Sequence, residues 1–187
     1  MIRALDHAPV IMGHSFGGLV AELLLDRGLG IAGVAISPAP VKGVLRLPPA
    51  ELPSGFPSYG FTNTMAEGEA KAAYDRYQVP GPGRVIFQAA FANLNPRAVA
   101  KVDFHKDDRP PLLIIGNDND HTAPASVSKE AAQRLGKSKA VFGYGEFAGR
   151  PHFTAGAPGW EKVADYALHW ANRHAGTSAE RQARATA

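Results

Sequence analysis

The hexapeptide Gly13-His14-Ser15-Phe16-Gly17-Gly18 constrains this chain more than any other stretch. A short apolar run at residues 9–12 precedes it, and Leu19, Val20, Leu23, Leu24 and Leu25 follow at helical spacing until Gly28. A strand that turns sharply into a helix needs small residues at the turn, because the two backbones pass close together. The serine of this G-x-S-x-G string then stands at the end of a sheet with its hydroxyl clear. The helix N-terminus behind it favours developing negative charge. Such a string is common in itself; its strand-turn-helix setting makes Ser15 a candidate nucleophile.

The rest of the chain repeats the same alternation. Residues 31–37 read as a second buried strand, and residues 112–115, Leu-Leu-Ile-Ile between Pro111 and Gly116, as the clearest one. Residues 126–135 suit a helix ending at Gly136, and residues 139–147 a strand interrupted by Gly143 and Gly145. Trp160, Val163, Ala164, Ala167, Leu168 and Ala171 form an amphipathic helix behind Pro158 and Gly159. This order predicts an α/β fold: a mostly parallel sheet of about four strands flanked by helices.

A crossover between parallel strands needs only a dozen or so residues, so residues 41–109 are expected to be an insertion. They contain a Pro-rich stretch at 47–59 and helical patterns at 66–78 and 84–94, separated by Pro80-Gly81-Pro82-Gly83. The predicted organisation is a core of residues 1–40 and 110–175, a helical cap of residues 41–109, and a flexible tail of small, polar and charged residues at 176–187.

Composition excludes several classes. With 187 residues and 45% of them apolar, the chain can bury a core and is not a disordered protein. It has no cysteine, hence no disulfide framework, thiolate metal site or cysteine nucleophile. The net charge of +3 comes from scattered Lys and Arg with no basic stripe, so no nucleic-acid partner is expected. The apolar runs fall far short of the roughly 20 residues needed to cross a bilayer, and residues 1–7 do not resemble a secretory signal. Cytoplasmic residence without a membrane partner is the expectation. The histidines lack H-x-x-x-H spacing, so no metal or cofactor is expected.

A serine hydroxyl needs a base, itself oriented by a third group. After the strand at 112–115 comes Asn117-Asp118-Asn119-Asp120-His121-Thr122-Ala123-Pro124, with two candidate carboxylates, Asp118 and Asp120, at the same sheet edge as Ser15. Position sorts the seven histidines. His169 and His174 lie on the last helix, His7 precedes the first strand, and His105 lies near the end of the insertion. His14, beside the serine at a sharp turn, is expected to pack or hydrogen-bond; His121 adjoins the acid loop and lines the site. His152, in Gly149-Arg150-Pro151-His152-Phe153 after the last strand, is left as the base.

These pieces resemble the α/β-hydrolase superfamily: the nucleophile elbow at 13–17, the acid turn at 120–124, the histidine loop at 149–153 and the Gly159-Trp160 entry to the last helix. The resemblance covers residues 9 to about 174 and points to the capped, serine-nucleophile, esterase- and lipase-like branch. The family's acid turn places its aspartate four residues before a proline, which selects Asp120. The resemblance implies Ser15, Asp120 and His152 as catalytic triad, the Phe16 N–H as one oxyanion donor, and a small-molecule ester as substrate. His14, His121, Phe87, Phe91 and Phe153 are the expected substrate-binding residues, with Phe56, Tyr59 and Phe61 as further cap aromatics.

The family usually has several strands before its elbow, one followed by the loop that supplies the second oxyanion donor. Here the elbow serine is residue 15. The expectation is therefore a partial fold lacking the amino-terminal strands, with an exposed edge on the strand at 9–12 that promotes homo-oligomers. A catalytically impaired binding or interaction protein is the alternative function.

Overall fold

The computed structural model describes residues 2–44, 57–78 and 92–186. After a 3-10 turn at Ile2–Ala4, the elements are β1 (Val10–His14), α1 (Phe16–Asp26), β2 (Ala32–Ile36), α2 (Pro57–Gly60), α3 (Glu67–Tyr77), β3 (Leu112–Asn117), α4 (Ala125–Leu135), β4 (Phe142–Phe147) and α5 (Trp160–Thr186). All strands pair in parallel in the order β1-β2-β3-β4. The α/β fold with about four parallel strands is thus the one expected.

The alternation of side chains along β3 divides the core. Leu112 and Ile114 join Leu19 and Leu25 of α1 and Val127, Ala131 and Leu135 of α4 on one face. Leu113 and Ile115 meet Val163, Ala167 and Ala171 of α5 on the other. A strand covered on both faces has no use for polar alternation, which is why it reads as an unbroken apolar run. Each of these β3 side chains is essentially fully buried and contributes roughly 1.5–3 kcal/mol by leaving water. Successive right-handed crossovers along a sheet put α1 and α4 on the same face.

The glycines that interrupt β4 have a packing reason. A Cβ on Gly143 would lie 2.7 Å from Trp170 Nε1, and one on Gly145 2.7 Å from Tyr166 Cε1. The aromatic side chains of α5 lie directly on the strand backbone. That helix also runs further than the sequence suggests. Its backbone continues through Thr186, across residues read as a tail; Ala, Arg, Glu and Gln are good helix formers, and their polarity does not stop a helix.

The segment between β2 and β3 is anchored in the core at both ends. Val41 and Val44 at its start, and Ala92, Ala100 and Val102 near its end, belong to the cluster on the α1 and α4 face. The helix expected at 66–78 is α3; of that expected at 84–94, only residues 92–94 are described, and they form a turn. Phe56, Phe87 and Phe91 lie outside the described residues. Arg109 closes the segment beneath α1. Its side chain is buried, donates to the Asp103 carbonyl at 2.8 Å, and approaches Asp26 Oδ1 at 3.9 Å. Glu22 is also buried there, and loss of water pushes its carboxyl up to about 8 against the opposing pull of Arg109. Among the described residues, no helix is long and apolar enough to cross a membrane.

Candidate active site

Ser15 sits between β1 and α1 with φ 54° and ψ −121°, a left-handed conformation that costs a non-glycine residue about 1–3 kcal/mol. The turn is tight because Gly13 passes against the Gly17 carbonyl, where a Cβ would overlap it. The room is needed at Gly13; a Cβ on Gly17 itself would meet nothing within 4 Å. Gly18 also matters, since its Cβ would lie 3.0 Å from Pro38. Ser15 is the N-cap residue of α1, yet its side chain makes no capping hydrogen bond. Serine at this position ordinarily spends its oxygen on the N2 or N3 amide. Here the hydroxyl is left for other use.

Asp120 and His152 come together although 32 residues separate them. His152 Nδ1–H donates to Asp120 Oδ2 at 2.7 Å, and both side chains are fully buried. Asp120 Oδ1 accepts from the amides of Thr122 and Ala123 at 2.8 and 2.7 Å, so three donors hold the carboxylate. Asp118, the other candidate acid, turns away: its Oδ1 accepts from the Gly149 amide at 2.6 Å and fastens the start of the histidine loop. Arg150 secures the far side of that loop through Thr154 Oγ1 at 3.0 Å and the Thr154 and Pro158 carbonyls at 2.6 and 2.5 Å.

His152 Nε2 is buried and has no hydrogen-bond partner among the described residues. Ser15 Oγ does not engage it in this arrangement. The neighbouring residue does reach His152: His14 Nε2–H donates to the His152 carbonyl at 2.8 Å, and the two rings lie 4.6 Å apart. Burial, followed by the adjoining His152 charge, lowers the His14 pKa to about 4. His14 therefore remains neutral at pH 7. His7, His105 and His169 are exposed, and His174 packs on Trp170.

Part of the segment between β2 and β3 lies across the acid and histidine loops. Thr122 Oγ1 donates to the Gly60 carbonyl at 2.9 Å, His121 Nδ1–H to the Tyr59 carbonyl at 3.1 Å, and Asn63 Nδ2 to the Asn119 carbonyl at 2.9 Å. The Phe153 amide donates to the Phe61 carbonyl at 2.9 Å, and the Phe61 ring stands edge-on to His152 at 4.7 Å. His121 is bound into this strap and also packs on Tyr59. The Phe153 ring lies over Gly156 and 5.6 Å from Tyr77. The bonding roles of Tyr59, Gly60, Phe61 and Asn63 left no mark in the sequence, since three of them act through backbone carbonyls that any residue carries.

A family model described as the alpha/beta hydrolase family matches residues 1–176. Among solved structures, the chain is similar to the monoacylglycerol lipase of Paleococcus ferrophilus, at 19% identity and TM-score 0.63, over 92% of this chain and 71% of the lipase. It is similar to polyneuridine aldehyde esterase at 14% identity and TM-score 0.62, over 90% of this chain and 74% of that one. An esterase of Pyrobaculum calidifontis matches at 20% identity and TM-score 0.53, over 89% of this chain and 52% of the esterase. No curated protein sequence matches. At these identities the structural likeness carries the fold, while the family match runs through nearly the whole chain: the protein belongs to the alpha/beta hydrolase family.

Proposed function

We propose that the protein is a serine hydrolase that cleaves a carboxylic ester through an acyl-enzyme, with Ser15 as nucleophile, His152 as general base and Asp120 as orienting acid. The observation that carries this reading is the state of His152: Nδ1–H is committed to Asp120, and Nε2, the lone-pair nitrogen, is buried and unpartnered. Catalytic hydrogen bonds are often long or absent without substrate. Ser15 Oγ attacks the carbonyl carbon as His152 Nε2 takes its proton, and the tetrahedral oxyanion is held by the Phe16 N–H at the start of α1. His152 passes the proton to the leaving alcohol, freeing it and leaving an acyl-serine. Water, deprotonated by the same nitrogen, then releases the acid.

Exposed Tyr59, Phe61 and Tyr77 with half-buried Phe153 support an aromatic or medium-chain acyl group as the preferred one. A fluorophosphonate should label the protein, and Ser15→Ala should abolish labelling; p-nitrophenyl esters of increasing acyl length then read the preference. A folded wild-type protein that is never labelled rejects the enzyme and favours the catalytically silent binding protein. That second reading is supported by the Phe61 ring standing edge-on against His152 at 4.7 Å.

The same proposal includes self-association through β1. It lies at the edge of the sheet among the described residues, and Met12 on it is 44% exposed. Such an edge templates strand pairing. Light scattering that returns the mass of one chain rejects it.

A further inference from the structure

Among the described residues, only two non-glycine residues have positive φ: Ser15 and Ser37, the latter at 40°. They belong to one hydrogen-bonded unit. The Ser15 amide donates to the Ile36 carbonyl at 2.9 Å, and the Ser15 carbonyl accepts from the Ala39 amide at 3.0 Å. Both polar backbone groups of Ser15 are thus bonded to the turn that leaves β2, and Ser37 is its pivot. Pro38 of that turn also supports the first turn of α1 at Gly18.

Ser37 is in turn held by β3. Its amide donates to the Ile115 carbonyl at 2.8 Å, and its fully buried Oγ accepts from Asn117 Nδ2 at 2.8 Å. Asn117 ends an otherwise apolar strand, is fully buried itself, and leaves its Oδ1 without a partner among the described residues. A buried amide with an orphaned oxygen is an expensive choice where an aliphatic side chain fits the pattern of the strand. Strained backbone persists only where its surroundings over-determine it, and such strain concentrates at functional sites.

We infer that Ser37 and Asn117 are positioning residues for Ser15: the Asn117 amide holds Ser37 in its left-handed conformation, and the resulting turn clamps the Ser15 backbone so that its hydroxyl and the Phe16 N–H keep their relative placement. The inference rests on the reading of Ser15 as nucleophile. The Asn117 carbonyl also accepts from the Asp120 amide at 3.3 Å, so one residue buttresses the serine through its side chain and the acid loop through its backbone.

The test measures the rate of Ser15 phosphonylation by a fluorophosphonate, followed by intact mass, in wild type, Asn117→Ala, Ser37→Ala and Ser37→Gly. Alanine at 37 loses the hydroxyl and resists positive φ; glycine loses the hydroxyl but adopts that φ freely. Asn117→Ala and Ser37→Ala are expected to slow labelling at least ten-fold, and Ser37→Gly markedly less. The pH midpoint of labelling should stay in place because the His152–Asp120 pair is untouched. Hydrogen exchange at the Ala39 amide should quicken in Asn117→Ala, a change that needs no activity to be seen. If Asn117→Ala does not fold, the alanine and glycine variants at 37 decide the matter. A labelled wild type with Asn117→Ala and Ser37→Ala at the same rate overturns the positioning role alone; so does a shifted midpoint, which would mean action through His152. An unlabelled wild type overturns the nucleophile reading and this inference with it.

Discussion

His152 Nδ1 and Asp120 Oδ2 lie 2.7 Å apart with both side chains shut away from solvent. A hydrogen bond so enclosed fixes the imidazole tautomer as well as its direction, and it leaves the opposite nitrogen as the basic one. Asp120→Asn presents an amide where the carboxylate accepted, which favours the tautomer with its proton on Nε2. Labelling and ester turnover should then fall by about 10³–10⁴ while the far-ultraviolet dichroism is retained. Turnover within ten-fold of wild type would refute the assignment.

His14 should impose an acid limit on stability. Its pKa falls from 6.5 in the unfolded chain to about 4 in the folded protein, chiefly through burial. Between those values the unfolded state binds more protons, so stability drops as pH falls through the window and is regained above 6.5. The contribution is on the order of 3 kcal/mol. Thermal melts from pH 4 to 7 should show a shallower pH slope for His14→Gln than for wild type; equal slopes would refute it.

Glu22 acts in the opposite direction. Burial raises its pKa from 4.5 to about 8, so between these values the folded state binds more protons than the unfolded one. Its stabilising contribution is complete below 4.5 and is lost as pH rises through 8, on the order of 5 kcal/mol across the window. Glu22→Gln removes the titration. The variant should therefore gain on wild type in melting temperature between pH 5 and 8.5, and a constant difference over that range would count against the account.

The elbow glycines are predicted to differ sharply. Gly13→Ala drives a methyl into the Gly17 carbonyl and should cost more than about 3 kcal/mol or prevent folding. Gly17→Ala meets open space in the first turn of α1 and should leave stability unchanged or raise it by up to about 1 kcal/mol. Urea unfolding of the two variants separates them, and equal losses would contradict the assigned geometry.

Much of this architecture was legible because it is locally encoded. Helical spacing after Gly18, the unbroken apolar run at 112–115 and the turn residues between them are set by periodicity and backbone preference within a few residues. Those signals put Ser15, the Asp118/Asp120 loop and the His152 loop after three of the parallel strands, β1, β3 and β4, hence at one edge of the sheet. The length of α5 was harder to read, since polar residues such as Glu180, Arg181 and Gln182 suit a solvated helix as well as a tail.

By itself, then, the sequence determined the order of strands and helices and the chemical inventory at the strand ends. Tertiary structure alone decided which carboxylate faces His152, with Asp118 spent on Gly149 and Asp120 on the imidazole. It also bound His14 and His121 to carbonyls at 152 and 59, laid the Phe61 segment over both loops, and joined Ser37 to Asn117 beneath the elbow. The physical reason is range. Periodicity records what a residue packs beside within a turn or two, whereas these hydrogen bonds join groups 31 to 138 residues apart and depend on strand register, which brings those groups together only once the sheet is formed.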